Sequence, residues 1–393
     1  MNTLFLRKGK DDSLRRFHPW VFSGAIEGCD NQPEEGEVVR VLTHDHDFIA
    51  TGHYQTGTIM VRVLSFAEEP IDTAFYERRL ATALQLRQTI GLTDANDTDA
   101  FRLVHGEGDN LPGLVIDIYG NTAVMQAHSA GMHHDRKKIA EALLQVMGER
   151  VRNIYYKSET TLPYQANINE ECGFLAGNST DDVAHEHGLA FHVDWLKGQK
   201  TGFFVDQREN RKLIEHYARG RNVLNMFCYT GGFSFYALRG GAALVHSVDS
   251  SQKAIDLTNA NVALNFPADP RHQAFAEDGF KYLDAMGAGQ YDLIVLDPPA
   301  FAKHRGALRN ALKGYTRLNE KALRKIKSGG ILFTFSCSQV VSKDEFRQAV
   351  FTAAAFAKRN VRILHQLHQP ADHPINIFHP EGEYLKGLVL EVI

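Results

Sequence analysis

Cysteine is scarce: Cys29, Cys172, Cys228 and Cys337 are the only four in 393 residues, widely scattered and without a Cys-x-x-Cys pair. That excludes a disulfide scaffold and any obvious zinc site, and it suits a reducing compartment. Long hydrophobic runs are missing as well. No stretch approaches the roughly 18 apolar residues that a bilayer-spanning helix requires, and the longest candidates, Leu293–Leu296 and Gly330–Phe335, read as buried strands. The first residues carry Arg7, Lys8 and Lys10 but no apolar segment of signal-peptide length, so a cytoplasmic location is expected. A strong overall charge is absent too. The net charge of −4 means that a nucleic-acid partner would have to be held by local basic patches. The histidines His44, His46, His133, His134, His185 and His187 show no convincing metal-ligand spacing against a carboxylate. They read as solvated surface, and no metal is expected.

What is present is the composition of a soluble globular protein, 44% hydrophobic and 23% charged. The length implies two or three domains. Residues 1–71 read as short strands and turns, with β-rich runs at Glu37–Leu42 and Thr58–Leu64 and turn signals at Pro33–Gly36, Gly52 and Gly57. A small β-barrel is the simplest way for such strands to hide their edges. Residues 72–188 read as an α+β unit. Helical spacing covers Phe75–Ile90 and Met132–Met147, and Tyr119-Gly120-Asn121 separates two short strands as a hairpin would. Residues 189–393 alternate strands with helices. The continuous apolar runs Val223–Phe227, Leu244–Asp249, Tyr291–Asp297 and Gly330–Cys337 read as strands covered on both faces, hence a mostly parallel sheet of an α/β fold.

In such a sheet ligands bind at the carboxyl ends of the strands. Val223–Phe227 runs into Cys228-Tyr229-Thr230-Gly231-Gly232-Phe233-Ser234, where glycines permit a tight turn and close approach to a ligand. The dinucleotide Gly-x-Gly-x-x-Gly spacing is lacking, which weighs against NAD. Asp249 closes the next strand. There it can accept hydrogen bonds from ribose hydroxyls or cap the following helix, and Asp278 beside Gly279 has the same two readings. Asp297-Pro298-Pro299-Ala300-Phe301 is a rigid turn, because two prolines fix φ and remove two donors; it presents Asp297 and a nearby ring toward the crevice. Gly330–Phe335 runs into Ser336-Cys337-Ser338. A thiol at the end of a buried strand beside the crevice is placed to act as a nucleophile, and an inert buried cysteine is the alternative.

The run Asn225–Ser234 with Asp249, Asp278 and Asp297-Pro298-Pro299 resembles the class I S-adenosylmethionine-dependent methyltransferases. With Ser336-Cys337-Ser338 it resembles the RNA 5-methylcytosine enzymes, specifically the ribosomal large subunit methyltransferase I family. The resemblance extends over nearly the whole chain. Arg15–Gly24 is similar to the entrance of that family's RNA-binding PUA domain, Phe101–Leu114 to the opening of its middle domain, and Lys200–Arg208 with Asn210 and Arg211 to the segment leading into the catalytic domain.

The resemblance implies a seven-stranded sheet whose last strand, near Leu388–Val392, is antiparallel. It implies S-adenosylmethionine as cofactor, held by Phe204, Gln207, Arg208, Phe227, Tyr229, Thr230, Gly231, Phe233, Asp249, Ser250, Asp278, Gly279 and Asp297. Cys337 would be the nucleophile and Asp297 would orient the base. Many RNA 5-methylcytosine enzymes have a second cysteine directly after the proline of the turn; here that place is Ala300. The large subunit family manages with the single later cysteine, and the base that removes the C5 proton is left unassigned.

Lys303–Lys327 carries nine basic side chains against the single acid Glu320, with six of them recurring at every fourth position from Arg305 to Lys325. On a helix this row winds slowly into a basic stripe, although Gly306 and Gly314 weaken the helical reading of its first part. Lys303, Arg305, Arg309, Lys313 and Arg317 are therefore candidate phosphate contacts. Arg15, Arg16, His18 and Trp20 are candidates at the PUA-like entrance, with Trp20 and Phe22 in the core of the small barrel as the other reading.

The resemblance thus implies methyl transfer to cytosine C5 in 23S ribosomal RNA of the large subunit. Competing readings are methylation of another base atom, such as a guanine nitrogen with Cys337 structural, and a non-catalytic RNA-binding ribosome assembly factor. No membrane partner is expected, and the oligomeric state is left open, a homodimer included.

Overall fold

The structure is a computed structural model that describes residues 1–93, 97–163 and 172–393. The chain divides into two compact units. The first comprises Met1–Gly188, Val193–Val205 and Ala371–Gly382, and the second Leu189–His192, Asp206–Pro370 and Glu383–Ile393.

In the first unit, Thr3–Ser65 builds a six-stranded sheet among the described residues. Its spatial order is Trp20–Phe22, Ile59–Ser65, Phe48–Tyr54, Val38–Leu42, Thr3–Leu6, Ile26–Cys29. Alternate residues such as Leu4, Leu6, Val39, Val41, Val61 and Val63 fill its core, as a half-buried sheet requires. Gly52 is not a turn, as its residue type suggested, but lies inside the strand Phe48–Tyr54. A Cβ there would stand 2.2 Å from the Arg62 carbonyl oxygen, so close approach of the neighbouring strand demands glycine.

A second, five-stranded sheet of this unit contains the expected hairpin, Leu114–Tyr119 paired with Thr122–Ala127. The helix expected over Met132–Met147 is broken at Asp135 into Ala130–His134 and Arg136–Met147. The Asp135 carboxylate is bonded by Tyr76 Oη (2.6 Å), Lys138 Nζ (2.7 Å) and the buried His53 (3.2 Å), which holds the residue at the break. His133 is buried and shares a 2.7 Å hydrogen bond with Tyr156, so it is core rather than solvated surface. Two later stretches return to this unit. The Thr201 hydroxyl donates to Asp117 at 2.6 Å, and the Asp372 carboxylate accepts from Arg102 N at 3.0 Å.

The second unit holds a seven-stranded sheet built from β1 (Asn222–Met226), β2 (Leu244–Asp249), β3 (His272–Ala276), β4 (Leu293–Leu296), β5 (Gly330–Ser336), β6 (Val361–His368) and β7 (Lys386–Val392). Their order is β3-β2-β1-β4-β5-β7-β6; β1 to β5 are parallel, and β7 runs antiparallel to both of its neighbours. Val223, Leu224, Met226 and the whole of β4 and β5 are buried, each large apolar side chain contributing about 1.5–3 kcal/mol. The helices are α1 (Arg208–Ala218), α2 (Gly232–Arg239), α3 (Gln252–Asn265), α4 (Gly279–Ala285), α5 (Leu308–Lys325) and α6 (Lys343–Ala357). Local chemistry starts several of them. Ser251 caps α3, Asp278 caps α4, and Ser342 with Glu345 forms a full capping box on α6.

Strand order reverses between β1 and β4, which opens a crevice at their carboxyl ends. Gly314 does not interrupt α5. A Cβ there would stand 2.9 Å from the Phe301 ring, so glycine lets that ring lie on the helix.

Gly387 in β7 faces Phe335 of β5, and a Cβ would come within 2.5 Å of its ring. Gly387→Ala is expected to cost about 1–3 kcal/mol by overpacking. The check is the denaturant midpoint of this unit, and an unchanged midpoint would show that the sheet yields there.

Candidate functional site

The crevice begins with the loop after β1. Phe227 and Tyr229 adopt left-handed φ values of 59° and 48°, and Gly231 has φ 86°. For residues with a Cβ this conformation costs on the order of 1–2 kcal/mol each, so surrounding contacts must hold it. They are visible. Tyr229 N donates to Asp249 Oδ2 at 3.0 Å, and a Cβ on Gly279 would touch the Phe227 ring at 3.0 Å. A Cβ on Gly231 would stand 2.7 Å from Thr258, and one on Gly232 2.9 Å from the buried Arg211 stem. The backbone therefore turns in a cradle that only glycine fits. Thr230 is buried in the same loop, and its hydroxyl has no hydrogen-bond partner among the described residues. Phe233 is turned inward, its ring 5.6 Å from that of Phe335.

Asp249 ends β2 without capping α3, since Ser251 does that. Its carboxylate accepts from Tyr229 N and, at 2.9 Å, from Ser251 N, which locks the acidic group beside the loop. Ser250 is exposed next to it. Asp278 accepts from Lys281 N at 3.0 Å, so its cap reading is realised in the fold. Cys228 is buried; burial and the neighbouring Asp249 carboxylate push its thiol well up, out of nucleophilic range.

The turn after β4 places Asp297 half-buried at the other wall of the crevice. Gln207 Nε2 donates to its Oδ2 at 3.1 Å, and Asn210 Nδ2 holds the Gln207 amide oxygen at 2.6 Å. Arg208, at the start of α1, is buried beside this relay. Cys337 follows β5 and is half-exposed, its Sγ lying 3.9 Å from the Pro298 carbonyl oxygen. Both turns are fastened together underneath. Ser338 Oγ accepts from Ala302 N at 3.3 Å and bonds Tyr315 Oη of α5 at 3.0 Å, while Ser336 Oγ donates to the same Tyr315 at 2.9 Å. The Phe301 ring stacks on Tyr315 with centroids 4.7 Å apart; it packs on α5 and does not accompany Asp297 into the crevice.

Asp297, Cys337, Gln207, Tyr229, Thr230 and Asp249 thus come together at the strand ends. Phe204 belongs to the first unit, where the Lys200 ammonium stands 4.6 Å from its ring centre. Sequence reasoning missed Tyr315, whose neighbours carry no motif, and gave Asn210 no role. Ser338 was quoted only as a flank of the cysteine.

On the basic stripe, Lys303, Arg305, Arg309, Lys313 and Arg317 are exposed and make no ion pair among the described residues. The later part is engaged by protein: Lys321 pairs with Asp284, Arg324 with Glu320 and Lys327 with Asp292. In the first unit, Arg15 and Arg16 are exposed, Arg15 against Asp11 at 2.5 Å. The Trp20 indole donates to Glu107 at 2.8 Å, and its ring lies 4.3 Å from that of His379, with His18 5.8 Å from the same ring. Phe22 is not core but 41% exposed, and Phe17 and Phe378 are similarly open, with ring centroids 5.6 Å apart.

An S-adenosylmethionine-dependent methyltransferase family profile matches residues 143–376, and a PUA-like domain profile matches residues 4–66. Ribosomal RNA large subunit methyltransferase I of Alteromonas mediterranea is 41% identical over 394 residues, covering 99% of this chain and 98% of that protein. Two solved structures share the fold over 100% of both chains at 23% identity. They are an S-adenosylmethionine-dependent methyltransferase from Streptococcus mutans (TM-score 0.84) and a methyltransferase complexed with SAH (TM-score 0.85).

Tyr315→Phe removes one buried hydroxyl and leaves Ser336 and Ser338 without it. The expected loss is about 1–3 kcal/mol of unfolding free energy. It is measured by denaturant titration, and no loss would mean that the two serines find other partners.

Proposed function

Because this chain belongs to the ribosomal RNA large subunit methyltransferase I family and is an S-adenosylmethionine-dependent ribosomal RNA methyltransferase, we propose that it methylates carbon 5 of a cytosine in 23S ribosomal RNA through a covalent bond from Cys337 to carbon 6. The observation that carries this reading is the position of Cys337, a half-exposed thiol beside the Asp297-Pro298-Pro299 turn at the mouth of the crevice. Of the two cysteines at the strand ends, Cys228 is held protonated and buried.

The chemistry requires such a group, because carbon 5 of cytosine is not nucleophilic by itself. When the thiolate bonds to carbon 6, the ring electrons move to carbon 5, which then attacks an electrophilic carbon. S-adenosylmethionine supplies that carbon as its sulfonium methyl group and departs as the neutral thioether. Loss of the C5 proton to a base restores the 5,6 double bond and expels the thiolate. Asp297, steadied by Gln207, accepts a hydrogen bond from the amino edge of the base and holds the ring over Cys337.

The cofactor residues are those of the cradle. The Phe227–Phe233 loop receives the methionine part, Asp249 and Ser250 face the ribose, and Asp278 with Gly279 borders the adenine. The buried Thr230 hydroxyl supports this assignment, since a polar group built into a cradle without a protein partner is suited to a ligand. Gln207 and Arg208 line the same crevice, and Phe204 is assigned to the cofactor on the resemblance alone. Ribosomal RNA is held by Lys303, Arg305, Arg309, Lys313 and Arg317 through its phosphates. It is also held by Arg15, Arg16, His18 and Trp20 at the entrance of the PUA-like domain, where the open rings of Phe17 and Phe22, with Phe378 from the returning stretch, offer stacking platforms for unpaired bases. Such a substrate places the enzyme in the cytoplasm.

Transfer of labelled methyl from S-adenosylmethionine to 23S rRNA lacking the modification, followed by nucleoside mass spectrometry, tests the chemistry. Wild type is expected to yield 5-methylcytidine, and Cys337→Ala to fall by at least about a thousandfold. Methylation by the variant, or a methylated guanine as product, would make Cys337 structural. Loss of cofactor binding in the wild type would leave an assembly factor. Replacing Arg309, Lys313 and Arg317 with Ala should weaken RNA binding and flatten the slope of log affinity against log salt by about 2. An unchanged slope would mean that the stripe does not meet phosphate.

A further inference from the structure

Lys386 opens β7 directly opposite Ser336, the residue before Cys337. It is 5% exposed, an unusual place for an ammonium group. Two of its N–H bonds are accounted for. Nζ donates to the Ser338 carbonyl at 2.7 Å and to the Val341 carbonyl at 2.5 Å, which ties down the loop leaving the cysteine on its far side. Cys337 is therefore bracketed, with Ser336 in register with Lys386 and Ser338 bonded to it. The third N–H has no protein acceptor among the described residues.

Burial pushes this ammonium down to about 8, and the neighbour that most favours its charged form is Cys337, ahead of Glu383 and Glu345 and against Lys343. Both acids are otherwise engaged, Glu383 by Lys343 and Glu345 by Ser342. A buried cation costs several kcal/mol unless it is compensated, and two backbone carbonyls are a modest return for a structural clamp. A neutral donor could hold the same loop. The charge itself is what a neighbouring thiolate can use.

We propose that Lys386 is a positioning residue for Cys337, fixing the loop after the cysteine and stabilising its thiolate by the positive charge it holds against the residues on either side of it. The proposal rests on Cys337 being the nucleophile, and it adds how that cysteine is kept reactive near neutral pH. Lys386 itself forms no bond to substrate. By favouring the thiolate it prepares attack on carbon 6 and eases departure of the sulfur when the product is released.

The test is the pH dependence of iodoacetamide alkylation at Cys337 in the intact protein. It is read by peptide mass spectrometry so that Cys29, Cys172 and Cys228 are followed separately. In wild type the midpoint is expected below the ordinary cysteine value of about 8.5. In Lys386→Gln, which keeps a donor and loses the charge, it should rise by about one unit or more. Alkylation near pH 7 then falls about tenfold, with the high-pH plateau unchanged. Lys386→Arg should stay close to wild type. A Gln variant with the wild-type midpoint would overturn the proposal. If that variant fails to fold, the wild-type midpoint decides, and a value at or above the ordinary one overturns it equally. Methyl transfer by Cys337→Ala is scored separately. Activity there would refute the nucleophile, whereas the alkylation midpoint reports on Lys386 in either case.

Discussion

The geometry of the two turns at the mouth of the crevice depends on one buried hydroxyl, that of Tyr315. Asp297 and Cys337 lie on turns that leave two adjacent strands, and strand ends are free to move unless something ties them. Ser336 and Ser338 both bond Tyr315, and Ser338 also takes the Ala302 amide, so both turns share one anchor on α5. Each of these groups is buried or nearly so, where a missing partner would cost about 1–3 kcal/mol. The network is worth keeping only as a whole, and the thiol it flanks lies 3.9 Å from the Pro298 carbonyl oxygen. The two prolines reinforce this by removing torsional freedom on the opposite side.

The loop after β1 follows a different principle. There the backbone is strained at Phe227 and Tyr229, and the strain is held by Asp249 and by the space that Gly279 leaves for a ring. Strain of this kind persists where the surrounding fold over-determines it, and it presents the loop ready-shaped to a ligand. The carboxylate that closes β2 therefore holds the loop, and each of its oxygens has two lone pairs for further hydrogen bonds.

Much of this was legible in the sequence because it depends on local rules. Continuous apolar runs located β1, β2, β4 and β5 to within about two residues, and the Asp-Pro-Pro and Ser-Cys-Ser turns followed from their ends. The antiparallel last strand came from the family resemblance, and the fold has it. What escaped were effects of partners distant in sequence. Gly52 has the composition of a turn, but the neighbouring strand needs its missing Cβ. The Met132–Met147 periodicity is unbroken, yet Asp135 is pulled out of it by Tyr76 and His53. Phe22 has the residue type of a core position and is open to solvent. Tyr315 and Lys386 sit in ordinary-looking segments, and only the assembled sheet brings them to the cysteine. The returns of 193–205 and 371–382 to the first unit likewise rest on pairs distant in sequence, such as Thr201 with Asp117 and Asp372 with Arg102, that no periodicity announces.

The central claim is a covalent bond between Cys337 and the substrate base, and a trapped intermediate tests it most directly. In 23S rRNA transcribed with 5-fluorocytidine, carbon 5 carries fluorine, so after methyl transfer no proton can leave and the thiolate cannot be expelled. Incubation with S-adenosylmethionine should give a denaturation-resistant protein–RNA complex. Digestion and mass spectrometry should then place the nucleotide on the Cys337 peptide. Absence of that complex under conditions where unsubstituted RNA is methylated, or a nucleotide attached to any other residue, would contradict the account.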